Sequence, residues 1–248
     1  MDSTIEKGFH VLEMIVAAPG PVRLSSDAQE LGLQKSNAHR TLATLVALGY
    51  VAQDAESGLY RPSLKLFELG ARVVGLHPVR RAAAPYLQEL HRTLGETVNF
   101  YIHDKDAILV VEKLLSPRPL RFSSQPGSRL PLSATAAGHV MLAFASDPVD
   151  LLERSLKAFP PRDGARIDRD EVLEGLSTIR ERGYAETVNG WTPGLFSIAV
   201  PLRGVDGSVM AAMGVSGPLE RSSPENRDTI IEALLTTSVR IAENMALA

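Results

Sequence analysis

The chain has no cysteine. That excludes disulfides, thiolate metal sites and cysteine nucleophiles, and it fits a reducing cytoplasm. No stretch approaches the roughly 18 to 20 apolar residues that span a membrane. The first residues, Met1-Asp2-Ser3-Thr4-Ile5-Glu6, lack the basic-then-apolar pattern of a signal peptide, so a cytoplasmic protein without a membrane partner is expected. A surplus of positive charge is missing too: the net charge is -3. The usual sequence signatures of enzymes are also absent. There is no Gly-x-Ser-x-Gly, no phosphate loop ending in Gly-Lys and no dinucleotide fingerprint. The histidines, His10, His39, His77, His91, His103 and His139, are scattered, with no recognisable metal spacing. No enzyme activity, metal or cofactor is therefore expected. What remains is an ordinary globular composition, 44% hydrophobic and 22% charged over 248 residues, enough for one large domain or two smaller ones.

The most informative segment runs from Leu24 to Pro62. A short helix over Ser25 to Leu31, a turn at Gly32, a longer helix from Ser36 and two short strands, Tyr50 to Gln53 and Leu59 to Arg61, follow in order. That is the order of a winged helix-turn-helix, which places one helix in the DNA major groove. A preceding helix over Thr4 to Ala17 carries Ile5, Phe9, Leu12 and Val16 as its apolar face, and Pro19-Gly20-Pro21 stops it. In the longer helix Ala38, Leu42, Leu45 and Gly49 form the inward stripe, with Gly49 suited to the left-handed position that ends a helix. Ser36, Asn37, Arg40, Thr41 and Thr44 lie opposite. Such a face differs from the Glu/Lys mixture of an ordinary solvated helix. Over the first 75 residues the cations (Lys7, Arg23, Lys35, Arg40, Arg61, Lys65, Arg72) are outnumbered by one by the acids (Asp2, Glu6, Glu13, Asp27, Glu30, Asp54, Glu56, Glu68). Between Leu31 and Gln53, however, Lys35, His39 and Arg40 stand without any acid, and phosphate contact needs charge only at the docking face. The expected DNA-binding set is Lys35, Ser36, Asn37, His39, Arg40, Thr41 and, on the wing, Arg61. The partner is double-stranded DNA with an inverted-repeat operator. The competing reading is a small-molecule-binding enzyme or sensor whose N-terminal helices only dimerise.

Residues 63–94 read as a helical linker broken at His77-Pro78 and ended by Gly95. Beyond it the pattern is mixed. A hairpin joins Thr97 to Ile102 with Ala107 to Val111, and a helix covers 135–145. Asp168 caps a helix that ends at Gly183. Strands cover 184–188, 196–202 and 209–215, the last two joined at Asp206-Gly207. Ser223-Pro224 opens the final helix.

These pieces together resemble the IclR family of bacterial transcriptional regulators. The likeness rests on Lys35-Ser36-Asn37-Ala38-His39-Arg40, Leu48-Gly49-Tyr50-Val51, Gly95-Glu96-Thr97-Val98, the run from Gly127 to Gly138, Arg182-Gly183-Tyr184-Ala185, Ile198-Ala199-Val200-Pro201 and Val215-Ser216-Gly217-Pro218. The resemblance implies an α+β chain with a winged helix-turn-helix at 1–62, the linker at 63–94, and a GAF-like effector domain at 95–248 built on a curved antiparallel sheet flanked by helices. It also implies a homodimer or a dimer of dimers, and a small organic-acid effector. Two departures stand out. His139 occupies a position where the family often has Lys. Thr187 and Gly214 stand where small-acid-binding members carry an Asp and a Ser.

The expected effector site combines this resemblance with local chemistry. The helix after Leu132 would present the amides of Ala136, Ala137 and Gly138 to a carboxylate. The same small residues serve equally well for close helix–sheet packing. Ser197 and Ser216 match family positions that face the ligand. Leu120, Phe122, Trp191, Leu195, Phe196, Met141 and Met213 are candidate walls. Thr187 and Gly214 would leave a roomier, less polar pocket, favouring an acid with an apolar body, aromatic ones included.

Overall fold

The computed structural model describes residues 3–23, 35–119, 125–161 and 167–246. These divide into two compact units, Met1–Leu76 and His77–Ala248. The segment 63–94 holds two helices that fall on either side of that division.

In the first unit, α1 (Ser3–Ala17) and α2 (Lys35–Ala47) pack over a two-stranded antiparallel ribbon, β1 (Val51–Gln53) and β2 (Tyr60–Pro62). Val22 adds a bridge to Tyr60. The expected helix over Ser25 to Leu31 and its turn lie outside the described residues. The core is Val11, Leu12, Ile15, Leu42, Leu45, Val51 and Tyr60. This corrects the expected face of α1, because Ile5, Phe9 and Val16 are 59%, 60% and 52% exposed. The helix carries two apolar stripes, and α2 and β2 cover the one through Val11 and Ile15. The inward stripe of α2 is as expected, with Ala38, Leu42 and Leu45 buried. Gly49 ends it at φ 78°, where any β-carbon is strained. Helix α3 (Lys65–Gly75) then buries no residue.

The second unit begins with α4 (Pro78–Leu94), whose Val79, Ala83, Leu87 and Leu90 are buried. Its six-stranded antiparallel sheet has the order β5-β4-β3-β8-β7-β6, from β3 (Thr97–Asp104), β4 (Ala107–Leu114), β5 (Arg129–Pro131), β6 (Ala185–Val188), β7 (Leu195–Arg203) and β8 (Val209–Pro218). Helices α4 and α8 (Pro224–Ala246) cover one face, against Phe100, Ile198, Met213 and Val215. The other face carries α5 (Ala136–Ala143), with α6 (Pro148–Ala158) and α7 (Arg169–Arg182) packed around it. Strand residues alternate between the two faces, so each strand serves two cores at once.

A buried carboxylate ties three loops of this unit together. Glu96, 1% exposed, accepts hydrogen bonds from Arg118 at 2.6 Å and from Arg221 at 2.6 and 2.8 Å. Ser116 adds a bond to the carbonyl of Gly95. A carboxylate this deep is tolerable only because charged donors surround it.

Candidate functional site

Two places gather chemistry, one in each unit. On α2 the buried stripe fixes the rotation of the helix, and the opposite side is left to solvent. Asn37, His39 and Arg40 are exposed and Thr41 is half-buried. The Arg40 guanidinium reaches Asn37 Oδ1 at 3.4 Å, so the two side chains are already aligned along one ridge. Lys35 and Ser36 open the same helix. Arg61 is exposed on β2. The seven residues named from sequence thus fall on one helix and one ribbon.

The second place is a cavity of about 490 Å³ on the α5 side of the sheet, within the range of small-molecule sites. The strand register explains its polarity. Thr187, Ser197 and Ser216 stand directly opposite one another across β6, β7 and β8, and directly opposed residues share a face. One row further on, Ala185, Ala199, Gly214, Asn99 and Lys113 are paired in turn. The alanines and Gly214 lie beneath α5, while Thr187, Ser197, Ser216 and Lys113 line the cavity.

Asn99 Nδ2 donates to Ser216 Oγ at 3.2 Å, which leaves the serine hydrogen free to be donated elsewhere. Asn99 Oδ1 is buried and has no hydrogen-bond partner among the described residues. Burial pushes the Lys113 ammonium below its ordinary value, and burial likewise pushes the Tyr101 hydroxyl up.

The loop between β6 and β7 closes one wall. Asn189 adopts φ 53° and its Oδ1 accepts the N–H of Gly194 at 2.7 Å. Gly190 presses on the chain so closely that a β-carbon would sit 2.3 Å from the carbonyl oxygen of Ala134. This turn holds Trp191 and Thr192 at the cavity, with Trp191 edge-on to Phe159 at 6.4 Å between ring centroids.

Ala137, Thr187, Trp191, Leu195, Ser197 and Ser216 all line the cavity. Ala136, Gly138 and Gly214 do not. Gly138 abuts the main chain of Leu132, where a β-carbon would meet Cα at 2.5 Å. Its N–H is bonded to the Thr135 hydroxyl at 3.1 Å, so the start of α5 is capped from within. A β-carbon at Gly214 would lie 2.7 Å from the carbonyl oxygen of Ile198 and 3.1 Å from Ala199 Cβ, so this glycine serves the close packing of β8 against β7. Phe196 and Met213, expected as walls, are fully buried in the core on the other face. Met141 packs in the α5 core. Leu120 and Phe122 lie outside the described residues. His139 is held by its Nε2 near the carbonyl of Ser133 at 3.0 Å and is not at the cavity.

Tyr101, Lys113, Arg129, Thr135 and Phe159 line the cavity without having been expected there. The signal for Lys113 was the length of β4, which continues three residues past Val111 and so brings the lysine opposite Asn99.

Among the described residues no group of histidine, aspartate or glutamate could hold a metal ion, and no helix is long and apolar enough to cross a membrane.

Comparison with known proteins converges on one family. Residues 4–55 match the IclR helix-turn-helix domain and residues 71–243 match the C-terminal domain of the bacterial transcriptional regulator IclR. The HTH-type transcriptional regulator KdgR of Escherichia coli K12 is 33% identical over 244 residues, covering 98% of this chain and 92% of that protein. The glycerol operon regulatory protein of Streptomyces coelicolor is 33% identical, covering 88% and 85%. Among solved structures, IclR of Thermotoga maritima superposes with a TM-score of 0.79 at 26% identity, covering 99% of each chain. An IclR homologue from Microbacterium hydrocarbonoxydans, complexed with 4-hydroxybenzoate, gives 0.83 at 23%, covering 99% of this chain and 100% of that one.

Proposed function

This chain belongs to the IclR family of bacterial transcriptional regulators, with a winged helix-turn-helix followed by an effector domain, and from that premise we propose how its surfaces divide the work. The relatives are named as regulators of transcription, so the enzyme reading falls away. Helix α2 reads bases through Ser36, Asn37 and Arg40, assisted by His39 and Thr41, while Lys35 and the wing residue Arg61 contact phosphate. The observation that carries this is the division of α2 into a buried Ala38–Leu42–Leu45 stripe and an exposed Asn37–Arg40 ridge. The protein acts as a dimer on an inverted repeat. One helix and one wing read too few bases, and two-fold symmetry doubles them. Helix α3 supports pairing, since Phe67 and Val73 are 74% and 72% exposed on a helix that buries nothing of its own.

A small organic acid bound in the cavity of His77–Ala248 shifts the balance between two dimer geometries. It does so only by binding one geometry more tightly than the other. A protein of the same fold is complexed with such an acid.

Gel-shift titration over a range of salt, with a promoter fragment carrying an inverted repeat, tests the DNA assignment. Binding should weaken steeply as salt rises, because phosphate contact releases counterions. Arg40→Ala should cost about 2 kcal/mol and relax sequence preference at one position of each half-site. Arg61→Ala should weaken all sequences alike and flatten the salt slope. Unchanged affinity and preference in Arg40→Ala together with Asn37→Ala would remove α2 from the interface.

A further inference from the structure

A groove of about 520 Å³ lies between α1 and α2 in the first unit. Its floor is the buried pair Leu12 and Leu45, and Ile5, Phe9 and Leu48 form exposed apolar walls. Asn37, Arg40 and Thr41 line it as well, so the groove continues the ridge assigned above to base reading. Its charge is of one sign. Lys7 and Arg40 line it, and among the described residues no acid does. Lys7 is exposed, and its neighbours in charge on α1, Glu6 and Glu13, lie off the groove. Gly8 opens the middle of the α1 side. A glycine inside a helix is less stable there than alanine. A β-carbon at Gly8 would meet nothing within 4 Å. The packing of the chain therefore gives no reason for this glycine, whereas a groove that receives another molecule is kept open by it.

We propose that this groove seats one sugar–phosphate strand of the DNA, with Lys7 on a phosphate, so that α1 extends the interface beyond α2 and the wing. This rests on α2 being the reading helix. Continuity with the Asn37–Arg40 ridge places the groove where a strand bordering the major groove passes. The absence of acids from its lining suits an anionic partner. A sugar–phosphate strand presents anionic oxygens together with the C–H surface of deoxyribose. The first matches Lys7, and the second matches the Ile5–Phe9 wall, which a phosphate alone would leave unused. The flexible stem of a lysine lets its ammonium follow a phosphate without fixing a base, so Lys7 adds affinity and register but no sequence preference.

Fluorescence anisotropy of the full chain on a short mixed-sequence duplex, over a series of salt concentrations, decides the matter. No operator is needed, because phosphate contact is independent of sequence and each contact adds about 0.9 to the slope of log K against log salt. Lys7→Gln should flatten that slope by about 0.9 for each bound copy and weaken binding about eightfold per copy at about 0.1 M salt. Lys7→Arg should keep the wild-type slope. Lys157→Gln removes an equal charge from an exposed position on α6 and should change nothing. Gly8→Leu should fill the groove and weaken binding severalfold while the protein sediments like wild type. If Arg61→Ala flattens the slope and Lys7→Gln does not, α1 lies outside the interface while the wing assignment stands. If neither variant changes the slope, the assigned DNA face fails and the groove with it. An equal change in Lys7→Gln and Lys157→Gln would reduce the effect to net charge and overturn the contact. If Gly8→Leu sediments as a smaller species and Lys7→Gln keeps the wild-type slope, a second copy of the chain occupies the groove in place of DNA.

Discussion

The two units of the chain differ in how far they cover their large apolar residues. In His77–Ala248 the sheet is covered on both faces, and residues as large as Phe100, Phe196, Leu142 and Leu152 are fully buried. In Met1–Leu76 the core is small, and Ile5, Phe9, Phe67 and Val73 are each more than half exposed. What the second unit keeps unsatisfied is polar and inside: Asn99 Oδ1 and Ser133 Oγ have no hydrogen-bond partner among the described residues. What the first keeps unsatisfied is apolar and outside. Apolar surface seeks another macromolecular surface, whereas buried polar atoms seek a small ligand or water. The contrast therefore matches a division into an assembling head and a ligand-holding body.

The sharpest way to break the body is at Gly138. Its α-carbon faces the main chain of Leu132, which cannot move aside as a side chain would. Gly138→Val should cost about 3 kcal/mol or more, at or beyond the upper end of overpacking penalties. Chemical denaturation should show the loss in the transition of the second unit. A variant as stable as wild type would mean that α5 and Leu132 are not in this contact.

The head is broken differently. Phe67→Asp on α3 places a charge on its exposed apolar face and should leave the stability of an isolated protomer nearly unchanged. It should abolish dimers at micromolar concentration in sedimentation and weaken operator binding about a hundredfold, or about 2.7 kcal/mol. A dimer that survives this substitution would move the interface away from α3.

Features that declare themselves within a few residues are legible in the sequence. Asp168 and Gly183 bracket α7 as expected, with the Asp168 carboxylate accepting the N–H groups of Asp170 and Glu171 and Gly183 at φ 79°. Asp206-Gly207 turns β7 into β8, with Gly207 at φ 80°. Helix α6 carries the same kind of local signal, with Asp147 as its cap and Pro148 in its first turn. The face of α1 was misjudged because two apolar stripes overlap in Ser3–Ala17 and only tertiary packing chooses between them. The cavity shows the same limit. Ser197, Ser216 and Thr187 were named through resemblance, but their common row is a property of strand register. Asn99 and Lys113 join them only through pairings between residues that are far apart in the chain. The small residues of the α5 segment read as a ligand cradle in the sequence, but Gly138 is pressed against the main chain of Leu132, and of Ala136, Ala137 and Gly138 the cavity is lined by Ala137 alone.

The smallest expected effect concerns pH, and it sharpens the same contrast. The histidines of the head, His10 and His39, are exposed. In the body His139 sits against the carbonyl of Ser133, and burial holds its imidazole below the ordinary value of 6.5, with that hydrogen bond and the charge of Glu171 opposing the shift. His77 is lowered by burial as well. A lowered folded value means that the unfolded chain binds more protons as the pH drops. The contribution of neutral His139 is therefore complete above 6.5 and declines as the pH falls through 6.5 toward the folded value. His139→Gln can keep a donor to Ser133 without a titrating group. Unfolding temperatures measured from about pH 7.5 down to about pH 5 should fall less steeply in this variant, and His77 should leave a residual slope. Parallel curves for variant and wild type would show that the imidazole titrates alike in both states and that its burial is not felt.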